Sequence, residues 1–335
     1  MRIAVLMGGV SSEREVSLAS GREVARALRE VGHQVTEIDV KDELDASHAG
    51  PASSNNKALI NFVSSPDIAS SEIVFVAMHG GAGEDGTVQA LLDIMGKPYT
   101  GSGMLASALA MDKVLAKRVF EQAGIRTPAW RSVERATVKS VEAAILNLGG
   151  LPIVTKPRNQ GSTIGISIVK EESQVESAVK SALKYSSDVL VEKYITGREI
   201  TVGILGDSAL PVIEVAPEKG FYDYECKYTR GKSKYIVPAR IAENKSKEAQ
   251  DLALDAYRVL GCQDFARVDF RLSHEGELQC LEVNTIPGMT GTSLVPMAAR
   301  AGGRPFPQLV DEICRLALSR RGSGRILAQS PPSVE

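Results

Sequence analysis

The sequence predicts a mixed α/β fold in which an open parallel-sheet α/β domain is followed by two α+β subdomains. Three observations predict it. Between Ile3 and Val40 an apolar strand, a glycine-containing loop, an amphipathic helix and a second strand follow one another, the order of a β-loop-α-β unit. Further on, residues 151–156 and 166–169 flank a Gly/Ser loop, which gives strand-loop-strand. Nearer the C-terminal end, residues 267–272 and 278–284 alternate apolar and polar side chains on either side of a turn, the pattern of a half-buried hairpin. At 335 residues the chain exceeds the roughly 250 to 300 that one core usually sustains, so two or three domains are expected.

In chain order, residues 3–7 form a strand ending at Gly8-Gly9. Ser11-Ser-Glu-Arg-Glu-Val-Ser17 opens a helix that ends near Val31-Gly32, and residues 34–40 are the second strand. Residues 46–56, rich in Ser, Ala and Asn, read as a loop. The unbroken apolarity of residues 73–78 marks a buried strand, and His79-Gly-Gly-Ala-Gly-Glu-Asp-Gly86 leads from it into a helix over about 87–95. Pro98-Tyr-Thr-Gly-Ser-Gly103 breaks the chain and ends a first domain of residues 1–103. A helix over about 111–123, stopped by Gly124 and Pro128, carries Lys113 in its first turn. A cation there opposes the helix dipole, as a surface lysine or as one held for a ligand. A second helix, 137–148, ends at Gly149-Gly150. The central subdomain spans 104–192 and includes the Gly-rich loop 158–165, a helix near 171–184 and a strand at 189–195 that runs on into the third unit, 193–318. That unit has strands at 201–205 and 210–215, then an irregular stretch, 218–235, dense in Tyr and Lys, as lids and binding loops are. Residues 245–260 form a helix, Ser293 caps another that reaches about 301, and 305–318 is the last. The tail, 319–335, is expected to be disordered.

The hairpin carries the most chemistry. A two-residue loop at Glu275-Gly276, or a symmetric four-residue one, sets Val268 opposite Val283 and Phe270 opposite Leu281. It also sets Asp269 opposite Glu282 on the other face, with Asn284 beside them. Carboxylates directly opposite repel unless a cation or a proton sits between them. Two carboxylates and an amide carbonyl are hard oxygen donors, too few for a full cage, which suits Mg²⁺ completing its shell with water and phosphates. A solvated hairpin face is the plain alternative. The glycine-rich segment after His79 sits where open α/β sheets bind ligands, although a lone loop histidine is the more ordinary structural case. The loop Gly8-Gly9-Val10-Ser11 after the first strand lacks the GxGxxG spacing, and GxxxxGK[ST] occurs nowhere. Backbone N–H groups of the loop 158–165, over a strand bearing Lys156, can nevertheless cover nucleotide phosphates, and an ordinary hairpin turn is the alternative.

Composition narrows the classes. Hydrophobic residues at 43% and charged ones at 24% are those of a soluble globular protein. A net charge of −2 supplies no basic field for nucleic acid or an acidic membrane. Cys226, Cys262, Cys280 and Cys314 are widely spaced with no CxxC pair, which argues for free thiols over zinc or disulfides. No run approaches the ~20 apolar residues of a membrane span, and the cytoplasm is the expected compartment.

Six motifs occur in order: Gly8-Gly-Val-Ser-Ser-Glu-Arg-Glu-Val-Ser17, the His79 to Gly86 loop, Pro98-Tyr-Thr-Gly-Ser-Gly103, Met111-Asp-Lys113, Phe221-Tyr-Asp-Tyr-Glu-Cys-Lys-Tyr228 and Asn284-Thr-Ile-Pro-Gly-Met-Thr290. With them the chain resembles the ATP-grasp superfamily and, within it, the D-alanine–D-alanine ligase family, over about residues 2–318. The resemblance implies two ATP-grasp subdomains that clamp ATP, and ligation of two D-alanines for peptidoglycan synthesis. It implies Lys113 and Lys156 as phosphate ligands, Glu192, Lys193, Tyr194 and Ile195 as the segment meeting adenine, and Glu199 on the ribose hydroxyls. Asp269, Glu282 and Asn284 match metal ligands, for two Mg²⁺ ions replaceable by Mn²⁺. Glu15 matches the residue that orients the first substrate's ammonium, in a lid network with Ser162 and Tyr228, and Lys227 reaches the transferred phosphate. Arg267 and the Gly288 N–H match the oxyanion site, and Ser293 the group that holds the second carboxylate. A homodimer is implied as well. Another ATP-grasp carboxylate-amine ligase would share the hairpin but lack Glu15 and the Tyr- and Lys-rich lid. A non-catalytic nucleotide-binding module would show a broken metal set, whereas all three residues are present.

Overall fold

The computed structural model describes residues 1–40, 65–217 and 233–323. Among them the strands form three sheets. The first, parallel throughout, has β1 (Arg2–Gly8) between β2 (Gln34–Val40) and β3 (Ile73–Val76). Its crossover helix, Arg14–Glu30, buries Ser17, Leu18, Gly21, Val24, Ala25 and Leu28 at the three- and four-residue spacing of one helical face. Gly21 lets that helix close on the sheet, since a Cβ there would lie 2.5 Å from Met7 Cβ.

The second sheet is antiparallel, in the order β4 (Trp130–Val133), β7 (Val189–Lys193), β5 (Ile153–Pro157), β6 (Ser167–Val169). Helices Val138–Asn147 and Val175–Leu183 close its small aliphatic core of Val141, Ile145, Ile153, Val179 and Val191. The third contains β8 (Gly197–Leu205), β9 (Ser208–Ala209), β10 (Ile213–Pro217), β11 (Ser233–Ile236), β12 (Phe265–Ser273) and β13 (Leu278–Asn284). Its order is β11-β10-β8-β12-β13, with β9 paired to β8. Helix Glu243–Val259 packs Ala249, Ala253 and Tyr257 under Val202, Val268 and Phe270.

Several elements differ from expectation. The helix expected from about residue 111 starts at Lys113, because Asp112 caps it, and a separate helix, Met104–Met111, precedes it. Residues 233–235 of the expected irregular stretch belong to β11, whose register on β10 begins with Ser233 opposite Pro217; the rest of that stretch, with Lys227 and Tyr228, lies outside the described residues, as does the loop 46–56. Cys262, Cys280 and Cys314 are buried free thiols, and Cys226 is outside the described residues. No helix among the described residues is long and apolar enough to cross a membrane.

The last helix continues to Ser323 rather than stopping at residue 318. Leu309, Val310 and Ile313 of this helix share one core with Ile3, Val5, Val24 and Leu28, so the last described helix packs against the first strand and first helix. Arg320 explains why residues 319 and 320 are held. Its guanidinium donates to Tyr99 O at 2.8 Å, contacts Gln263 and lies 3.0 Å from Asp264 Oδ2, which also accepts from Gly101 N at 2.8 Å. Polarity had marked this segment as tail, and one buried carboxylate overrides it.

Burial pushes the Asp264 carboxyl up from 3.8 to about 6, against the pull of Arg320 and the Gly101 N–H. The folded state therefore keeps a proton that the unfolded chain releases, and stability falls as pH rises from about 4 to 6, by about 3 kcal/mol in all. Removing Arg320 raises that carboxyl further and carries the fall beyond pH 6. Arg320→Met should cost little stability at pH 5 and about 2 kcal/mol at pH 7.5. Urea unfolding at the two pH values checks this, and an equal loss at both would refute it.

Candidate active site

The β12–β13 hairpin places Asp269 opposite Glu282, Val268 opposite Val283 and Arg267 opposite Asn284. The expected Phe270–Leu281 pair is corrected: Phe270 faces Cys280. Ser273 N donates to Glu277 O at 2.9 Å, so three residues form the loop, not two or four. That odd loop shifts the register by one, and a bulge at Leu281 shifts it back. Asp269 and Glu282 meet because the two departures cancel.

Each carboxylate has a cation from the protein. Arg267 forks onto Asp269 at 2.8 and 2.7 Å, and the Thr201 hydroxyl donates to the same carboxylate at 2.6 Å. Lys113 Nζ lies 3.2 Å from Glu282 Oε2. The same ammonium donates to Gln160 O at 2.6 Å, while Lys113 N donates to Arg158 O. Asp112 caps the helix Lys113–Gln122 through Val114 N and Leu115 N and also receives the Arg158 guanidinium. Helix start and Gly-rich loop are thereby fastened together.

At the tip of that loop Ser162 (φ 51) and Thr163 (φ 63) are both left-handed, costing roughly 1–2 kcal/mol each. The Ser162 hydroxyl donates to Glu13, not to Glu15 as expected. Glu13 is buried and Glu15 exposed, though both line the same cavity. Helical spacing distinguishes them: four, seven and eleven residues after Glu13 come Ser17, Ser20 and Val24, all buried, whereas Glu15 leads to Ala19, Arg22 and Arg26, all exposed. That signal was in the sequence.

His79 is buried and held structurally, as a lone loop histidine ordinarily is, with Nδ1 2.9 Å from Ile286 O and Nε2 3.0 Å from the Ser20 hydroxyl. Neighbouring Glu84 is pushed up by burial and by the charge of Glu13, with His79 acting in the opposite direction.

Glu192 lies on β7, next to Lys193 and Tyr194. Its buried carboxylate is ion-paired with Lys117 and Lys156, so it faces two lysines. Burial alone would raise this carboxyl, but the two ammonium groups outweigh it and hold Glu192 below the usual range. Lys117 is pulled down by burial, partly offset by Glu192. Sequence reasoning missed Lys117, although it lies four residues after Lys113 and so on the same helical face. Beyond this group, Lys193 donates to Gly150 O and Tyr194 N to Pro152 O, which leads the chain from β7 to Glu199 on β8.

Two adjoining hollows gather the candidate residues. A cavity of about 450 Å³ is lined by Glu13, Glu15, Lys113, Ser162, Glu199, Arg267, Asp269, Glu282, Asn284, Gly288 and Ser293. A narrow slot of about 80 Å³ is lined by Lys156, Glu192, Lys193, Tyr194, Ile195 and Glu199, and shares Asp269 and Glu282 with the cavity. Asn284 Oδ1 accepts from Ile286 N at 3.0 Å. Ser293 precedes the helix Leu294–Ala301, but its hydroxyl turns back to accept from Thr290 N at 3.0 Å and does not cap that helix. The arrangement can hold an extended polyanion along the slot and present its end to a second ligand in the cavity.

Comparison with known proteins agrees with this geometry. A family model described as D-ala D-ala ligase N-terminus matches residues 2–102, and one described as D-ala D-ala ligase C-terminus matches residues 119–315. The chain is similar to the D-alanine–D-alanine ligase of Moorella thermoacetica, 51% identical over 95% of this chain and 99% of that protein. It is 45% identical to that of Aquifex aeolicus over 93% of this chain and 99% of that protein. The crystal structure of D-alanine–D-alanine ligase from Bacillus anthracis superimposes with a TM-score of 0.80 at 33% identity, covering 96% of this chain and 99% of that one. A structure of the Bacillus anthracis ligase complexed with ATP gives 0.79 at 31%, with the same coverage. Matched along nearly its whole length by both halves of one family and by solved members of it, the chain belongs to the D-alanine–D-alanine ligase family of ATP-grasp enzymes.

Proposed function

We propose that this protein joins two D-alanines into D-alanyl-D-alanine at the expense of ATP, through an acyl phosphate, and so supplies the dipeptide for peptidoglycan. The observation that carries this reading is the position of Asp269 and Glu282 at the mouth shared by slot and cavity. A group spanning that mouth has one end among Lys156, Glu192 and Tyr194 and the other among Glu13, Arg267 and Ser293.

A carboxylate is a poor electrophile toward an amine at neutral pH, so it must first be activated. Asp269, Glu282 and Asn284 offer hard oxygen donors that fit Mg²⁺ or Mn²⁺, and two such ions, when bound, would offset phosphate charge during transfer. Lys113 and Lys156 supply positive charge toward the β- and γ-phosphates, with Lys227 outside the described residues as a third cation. Glu199 takes the ribose hydroxyls, and the segment Lys193, Tyr194 and Ile195 flanks the base. Glu13, fixed by Ser162, orients the first ammonium in place of Glu15. Arg267 and the Gly288 N–H face the tetrahedral oxyanion formed when the second amine attacks, and Ser293 holds the second carboxylate. The acyl phosphate hydrolyses in water, which gives the Gly-rich loop a reason to cover the site. Incubation with ATP, Mg²⁺ and individual D- or L-amino acids, scored for ADP, phosphate and dipeptide, tests the whole reading. Phosphate release without dipeptide from D-alanine would overturn it.

The cytoplasm, where ATP is present, is the proposed compartment. A homodimer is proposed from an exposed apolar patch at the start of the helix Met104–Met111, where Met104 is 45% and Leu105 66% exposed. Leu105→Glu should yield monomer in sedimentation experiments; a wild type already monomeric at micromolar concentration would dismiss the patch as an interface.

Glu13→Gln should raise the KM for D-alanine at the first site at least tenfold while leaving ATP affinity within about twofold, and Glu15→Gln should change neither by more than about twofold. Steady-state kinetics with each substrate varied settles the assignment. For Glu282→Gln, ADP release should fall at least about 100-fold with thermal unfolding nearly unchanged. The like-charge repulsion toward Asp269 and the attraction to Lys113 are lost together, so the stability effects oppose one another.

A further inference from the structure

The connector from β7 to β8 forms one wall of the slot, and a single side chain from β12 holds it. Arg271 lies two residues beyond Asp269 on the same face of that strand, directly across from Glu199 of β8. Its Nε donates to Ile195 O at 3.1 Å and its Nη2 to Gly197 O at 2.8 Å. Its Nη1 lies 3.5 Å from Glu199 Oε2, and its guanidinium carbon lies 5.8 Å from the centre of the Tyr194 ring. One planar group therefore touches four of the six residues 194–199. Only about 15% of the Arg271 side chain and 16% of the Glu199 side chain remain exposed, so the pair is largely shielded from water.

The geometry points to Arg271 as a positioning residue that fixes the Glu199 carboxylate and the backbone at 195–197, and through them sets how strongly the ribose hydroxyls are recognised. This rests on the reading of Glu199 as the ribose ligand. A rigid fork loses less entropy per bond than a flexible chain would, and it meets two carbonyls and a carboxylate at once. Lysine in its place keeps the charge but has no planar fork. The residue also ties the ribose end of the nucleotide to the strand that bears Asp269, so both ends are placed by one rigid element.

The test uses the full-length enzyme and measures dissociation constants for ATP, 2′-deoxy-ATP and 3′-deoxy-ATP without D-alanine, with KM and kcat measured alongside. The wild type should bind at least one deoxy analogue about tenfold more weakly than ATP. Arg271→Met should weaken ATP binding about tenfold, change kcat far less, and bring the analogue-to-ATP ratio close to one. Arg271→Lys should fall between the two, and it stands in if the methionine variant does not fold. Glu199→Gln should lower the ratio by itself, with Arg271→Met adding nothing to the ratio in that background. A variant of Arg271 that folds yet keeps the wild-type ratio, or weakens all three nucleotides equally, overturns the proposal and leaves the Glu199 reading intact. A wild type that does not discriminate against either analogue overturns the Glu199 reading, and the proposal with it.

Discussion

Two like charges forced opposite one another are the constraint on which the rest of this structure depends. The hairpin sets Asp269 and Glu282 face to face, and such a pair is unfavourable unless positive charge is brought to it. Arg267 comes from the same strand, Lys113 from a helix about 150 residues earlier in the chain. Lys113 is in turn held where Asp112 and Arg158 lock the helix start to the Gly-rich loop. The mirror image lies just behind: Lys117 and Lys156 repel, and Glu192 between them relieves it. Acid pair and base pair are linked by one helix, which sends Lys113 to the first and Lys117 to the second. The lysine group stands beside the slot, and the hairpin supplies the oxygen donors at its mouth.

Much of this was legible from spacing alone. Alternation gave the strands of the hairpin, and the face-to-face carboxylates followed from counting outward from the turn. The count was right at Asp269 and wrong at Phe270, because loop length and the bulge at Leu281 offset one another, and no residue at 281 announces a bulge. Apolar periodicity located the helices, but it could not place the break at Asp112, which depends on a side chain accepting from Val114 and Leu115. Arg320 was hidden for a different reason. A polar stretch at a chain end looks unstructured until a buried partner such as Asp264 is known, and that partner is 56 residues away in sequence.

The choice between Glu13 and Glu15 shows how family resemblance and physical pattern can disagree. Both residues lie in one matched motif, and resemblance alone favoured the exposed one. Periodicity along the helix Arg14–Glu30 favours the buried one, because Glu13 continues the inward stripe of Ser17, Ser20 and Val24. A carboxylate that must meet a loop from another subdomain has to leave its helix on the packed side. Glu192 teaches the complementary lesson. It lines the slot, and its carboxylate is paired with Lys117 and Lys156, partners that its place beside Lys193 and Tyr194 does not disclose.

The packing of the last helix against the first strand has a consequence for synthesis on the ribosome. Ile3, Val5 and Leu28 are made about 280 residues before Leu309, Val310 and Ile313, which complete their core. Until then the core under the crossover helix lacks the share supplied by the last helix, and the nascent chain carries an unfinished apolar surface. The central antiparallel sheet, whose core draws only on residues between 133 and 191, has no such wait. It is positioned to fold ahead of the parallel sheet, although that sheet's strands are made before it.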